Sequence, residues 1–124
     1  MPGKIILWIS AIIFISYGLT CLYSPDIPAA YAGLSMTNGD AFVEIGAMYG
    51  GLQTGFGLFC LLAALKPDYH KSGLILLVLC VGGLALTRLF TTLIVSEPVA
   101  VYTWGAMAYE FATATLAAVA LKRA

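Results

Sequence analysis

GLILLVLCVGGLALTRLFTTLIV, residues 73–95, runs for 23 residues with a single ionisable side chain, Arg88. At about 1.5 Å rise per residue, a helix of about 20 residues crosses a hydrocarbon core of about 30 Å. Three other stretches have the same character, at about 5–23, 42–65 and 102–121. Lipid offers backbone groups no hydrogen bonds, so only helices or closed barrels span it, and runs this long and continuous are helical. The sequence therefore predicts an all-α, integral membrane four-helix bundle, one transmembrane domain over residues 1–124. Composition agrees: 61% of residues are hydrophobic and 10% charged, against roughly 25% charged in a soluble domain. Mean hydropathy is +0.97.

The segments between the runs carry stop and start signals. Residues 24–41 form the long outer loop. It opens on Ser24-Pro25-Asp26-Ile27-Pro28, which cannot continue a helix. Asn38-Gly39-Asp40 supplies turn and N-cap chemistry for the second span. Between them, Ile27, Tyr31 and Leu34 fit one face of a short interfacial helix. Residues 66–72 read as the second loop, and Ser96-Glu97-Pro98 as the third, with Tyr102 and Trp104 as interface anchors. Lys4 followed by an apolar run and Ala30-Tyr31-Ala32 resembles a signal peptide. The run is longer than the usual 7–15 residues or so, and no small residue precedes Cys21 as a lipoprotein site requires, so an uncleaved first span is expected.

Charge sets the expected topology. With four spans, both termini and the second loop share one side, which carries Lys4, Lys66, Lys71, Lys122 and Arg123. The other side carries only Asp26, Asp40 and Glu97. Five basic residues against none predicts both termini in the cytoplasm. A zero net charge gives no reason to expect nucleic acid as partner. Cys21, Cys60 and Cys80 sit inside apolar runs, odd in number and without a CxxC spacing, and read as buried thiols.

Three ionisable residues remain inside the membrane: Glu44, Arg88 and Glu110. Arg88 is seven residues from the outer end of the third run and Glu110 eight residues into the fourth, roughly 10 and 12 Å deep. Glu44 stands near the outer start of the second. All three fall in the outer half of the bilayer, where a charge is costly and finds a partner or a wet cavity. The expected arrangement pairs Arg88 with Glu110 and leaves Glu44 nearer the outer mouth. Snorkelling of Arg88 and a polar site for a ligand, ion or proton are the alternatives.

At about 100° per residue, the face of Glu110 also carries Thr103, Ala106, Thr113, Ala114 and Ala117, and the opposite arc carries Trp104, Ala108, Phe111 and Val119. Thr91 and Thr92 share the face of Arg88. On the second run, the face of Glu44 carries Ala47, Gly51 and Gly55. A second face carries Gly46, Tyr49, Gly50, Gln53, Gly57 and Cys60. Small residues let helices approach closely, so Gly46, Gly50, Gly51, Gly55 and Gly57 are expected packing positions. Tyr49 and Gln53 are candidates for bonding a ligand headgroup or another helix. The sequence contains no phosphate-binding glycine fingerprint, no metal-ligand set and no hydrolytic triad. No catalytic residue and no cofactor are expected.

EIGAMYGGLQTGFGLF (44–59), GGLALTRL (82–89) and the lone Glu110 resemble a family of small bacterial four-helix membrane proteins known only as a domain of unknown function. DoxX-like proteins are a looser likeness. Glu44, Tyr49, Gly50, Gly51, Arg88 and Glu110 are the matching positions. Members often carry arginine where this chain has Gly46, which leaves Arg88 as the only cation inside the membrane. The resemblance implies the fold and a bacterial inner membrane, and no activity.

Three functions fit these residues. The first is a non-catalytic accessory subunit, or a binder of a lipid or other hydrophobic molecule, either as a homo-oligomer or in a larger membrane complex. The second is a small oligomeric transporter using its membrane glutamates, although in small multidrug exporters the key glutamate lies in the first helix. The third is a membrane enzyme of isomerase or quinone-linked type, with Glu110 or Glu44 moving a proton.

Overall fold

A computed structural model describes residues 2–124. Among these residues every regular element is helical. Helix α1 spans Pro2–Tyr23, and a short α2 spans Asp26–Ala32. The long helices α3, α4 and α5 cover Gly39–Leu65, Pro67–Ile94 and Val101–Arg123. Helices α1, α3, α4 and α5 are each long and apolar enough to cross a membrane. Only 28–39% of each apolar window is buried within the chain. Leu79, Leu93 and Ile12 stand more than 60% exposed. Apolar surface on that scale needs lipid or a partner to cover it, so the chain is a multi-pass helical membrane protein.

The expected boundaries shift most at one place. Residues 66–72 were expected to form a loop, but α4 begins at Pro67, with a tight 3₁₀ turn through Tyr69 before the α-helix proper. Proline is tolerated in a first turn because its missing N–H has no partner there anyway. His70 and Lys71 therefore belong to a helix. Elsewhere the local chemistry follows the sequence. The Asn38 side chain caps α3 by accepting from the Ala41 amide at 2.9 Å. Helix α2 ends at Gly33, whose φ of 74° is left-handed, a conformation glycine adopts without steric cost.

The chain divides into two compact units, Met1–Leu7 with Ala63–Ala124, and Trp8–Leu62. In the second unit, α1 and α3 run antiparallel in close contact. A Cβ on Gly57 would lie 2.7 Å from the Ile15 backbone nitrogen, and one on Gly50 3.0 Å from that of Leu22. Phe14 and Phe56 add a tilted aromatic contact, with centroids 4.6 Å apart. Two hydroxyls in this unit, Ser10 Oγ and Thr54 Oγ1, are buried without a hydrogen-bond partner. Each opposes the packing gain by its lost solvation. In the first unit α4 packs along α5, with Val81, Ala85, Met107, Thr113 and Ala117 buried.

Both α3 and α4 contain a widened turn, Gly46–Gly51 and Leu77–Val81. In the first, the Leu52 amide donates to the carbonyl of Ala47, five residues back. Such a π-type turn takes in one residue more than an α-turn, so a phase count past Gly46 slips by about 100°.

The segment between α1 and α3 carries one perturbed acid. The Ser24 hydroxyl donates to the Asp26 carboxylate. That bond, then one from the Asp26 backbone, holds the carboxyl below its ordinary range. A depressed carboxylate stabilises the folded loop above its unfolded pKa, about 3.9. The contribution is lost as pH falls through the folded value. Ser24→Ala should move the Asp26 titration up toward the ordinary range, read by carboxyl-carbon NMR. An unmoved titration would remove the assigned cause.

Candidate functional site

Glu110 is 7% exposed, on the inward face of α5. Arg88 approaches it from α4 and donates twice, from Nε to Oε1 and from Nη2 to Oε2, both at 2.9 Å. This fork-to-fork geometry uses both carboxylate oxygens and is the strongest form of a side-chain ion pair. Arg88 remains 29% exposed, so the buried carboxylate anchors a cation that reaches the surface of its unit. The neighbourhood follows the helical phase. Thr113 and Ala117, on Glu110's side, are buried, while Trp104, Ala108 and Val119 on the opposite arc are exposed, with Phe111 intermediate. Thr91 turns its hydroxyl back to the carbonyls of Thr87 and Arg88, which occupies it within its own helix.

Glu44, Tyr49 and Gln53 belong to α3 in the other unit, with Glu44 exposed and the other two half-buried. The glycines of α3 do not behave alike. Gly50 and Gly57 meet α1, and Gly46 has Pro25 Cγ 3.8 Å from where its Cβ would be. Gly51 and Gly55, expected as packing positions, face open space with nothing within 4 Å. The face they share with Glu44 is the outward one, since Glu44 and Ala47 are exposed too, whereas the second face holds the buried Gly50, Gly57 and Cys60. Burial steps from Ile45 to Gly50, five residues on, where an α-helix would step three or four. Cys80 corrects another expectation. Cys21 and Cys60 are buried, but Cys80, within the widened turn of α4, is exposed.

The sequence reading missed Gly18. It is buried on α1, and a Cβ there would lie 3.0 Å from the Gly50 carbonyl oxygen. A glycine inside an uninterrupted apolar helix was the available signal, since it weakens the helix unless backbone contact requires it. Among the described residues, no three His, Cys, Asp or Glu side chains converge to hold a metal ion.

A family model described as a domain of unknown function (DUF4345) matches residues 3–121, nearly the whole chain. The chain belongs to the DUF4345 family. Neither curated proteins nor solved structures provide a match. Within this DUF4345 chain, the Arg88–Glu110 pair is a polar centre set among apolar helix faces, and it is the starting point for function.

Proposed function

We propose that this DUF4345 protein is a non-catalytic protein of the bacterial inner membrane. It binds a lipid or other hydrophobic molecule against α4 and α5, on its own or as an accessory subunit of a larger membrane complex. The observation that carries this reading is the asymmetry of the ion pair. Glu110 is buried with both oxygens engaged, whereas Arg88 is 29% exposed. A fully engaged carboxylate is poorly placed to carry a proton or an ion. A partly exposed guanidinium one helical turn from exposed Leu84 suits an amphiphile, with its tail on the leucine and an accepting head group near Arg88. This favours a binder over a glutamate-driven transporter.

The test is extraction in native nanodiscs followed by mass spectrometry of co-purifying small molecules. Wild type should retain one amphiphile above its share of the bulk membrane, and the double variant Arg88→Met, Glu110→Gln should lose it. Removing both partners leaves no unpaired charge, so that variant should still fold. Bulk lipid composition in both samples would overturn the reading.

Orientation is part of the proposal, from the five-to-none basic asymmetry. In a background without native cysteines, Asn38→Cys should react with an impermeant maleimide added outside intact cells. Lys71→Cys should react only after permeabilisation. The reverse pattern would invert the topology.

A further inference from the structure

The first unit contains a hollow of about 420 Å³ that the ion pair does not reach. Lys4, His70 and Lys71 line it, with Asp68 the only acidic side chain, and Ala63 and Ala64 give it an apolar wall. We propose that this hollow binds the phosphate of an anionic lipid headgroup.

Four features support the assignment. Among the lining side chains, Lys4 and Lys71 outweigh Asp68. Basic pockets among membrane helices, near the interface, are where anionic headgroups bind. The hollow also lies at the start of α4, a 28-residue helix whose first turn has no side-chain cap. Its dipole adds partial positive charge there. The imidazole is held in position as well. His70 packs on the backbone of α1, so that a Cβ on Gly3 would lie 2.8 Å from Nε2. Finally, the apolar wall beside a basic rim fits a molecule whose phosphate continues into acyl chains better than it fits a fully hydrated anion.

The experiment compares the protein in phosphatidylglycerol and phosphatidylcholine nanodiscs, with retained lipid read by native mass spectrometry. Wild type should prefer phosphatidylglycerol. Lys4→Gln and Lys71→Gln should each reduce that preference roughly fivefold, the factor for one basic residue near a charged lipid surface. Gly3→Ala, which keeps every charge but pushes the imidazole from its seat, should reduce it too. The control, Lys122→Gln with Arg123→Gln, should retain most of it. Equal loss in the control, or no loss in Gly3→Ala, would overturn the site in favour of a diffuse surface field. Inorganic phosphate that displaces no phosphatidylglycerol supports the lipid source. Phosphate that abolishes the preference at millimolar concentration overturns it in favour of a free anion.

Discussion

Arg88→Met should destabilise the protein by about 3–5 kcal/mol, the range for leaving one member of a buried pair without its partner. The orphan is Glu110, 7% exposed, a carboxylate left without the guanidinium that bonds both its oxygens. Glu110→Gln should cost less, because the amide keeps the shape and can still accept one bond from the guanidinium. The pair of substitutions should cost less than the sum of the singles, since neither charge is then stranded. Reversible unfolding in detergent or nanodiscs gives the three values. Strict additivity would mean that the two side chains do not interact in the membrane, despite their 2.9 Å contacts.

Gly57→Leu should be among the most damaging single changes in the second unit. Even the first added carbon would lie 2.7 Å from the backbone nitrogen of Ile15 and 3.1 Å from Phe14 Cβ. A backbone cannot swing aside as a side-chain end can, so α1 and α3 must separate and expose the Phe14–Phe56 contact. Overpacking costs about 1–3 kcal/mol even where side chains can adjust, and this case belongs at the upper end or beyond. Gly51→Leu is the matched control, because nothing lies within 4 Å of Gly51. It should melt like wild type as a monomer. If the protein forms a homo-oligomer through that open face, Gly51→Leu should weaken assembly alone, read by cross-linking or mass photometry. Equal stability of Gly57→Leu and wild type would disprove the close approach of α1 and α3.

The spans were legible because lipid imposes a simple rule, a long apolar run, which residues 73–95 meet with one charge to spare. The Arg88–Glu110 pair was legible for a related reason. One cation and few anions lay inside the membrane, and their depths followed from counting residues. The start of α4 was not, because Lys66-Pro67-Asp68 satisfies the grammar of a turn and of a first helical turn equally well. The inward face of α3 was misjudged at Gly51 and Gly55 because two faces carried glycines, and the one shared with Glu44 is exposed. Glycine content marked that helix as closely packed, but it could not say which glycines met α1. That depended on Gly18 and Leu22 of the opposing helix.

The widened turn at Gly46–Gly51 has a consequence for how this chain tolerates changes in length. A π-type turn is an α-helix that has absorbed one surplus residue. Deleting Ala47 would let α3 relax to ordinary geometry, shortening the Ile45-to-Gly50 step from five residues to four. Asn38 would still cap the helix, and Gly50 and Gly57 would still meet α1. The same deletion at Leu58, in the regular part of α3, would turn one flank by about 100° and take either Gly57 or Cys60 off the inward face. Single-residue gaps among related sequences should therefore collect at 46–51 and 77–81 and be rare elsewhere in the spans.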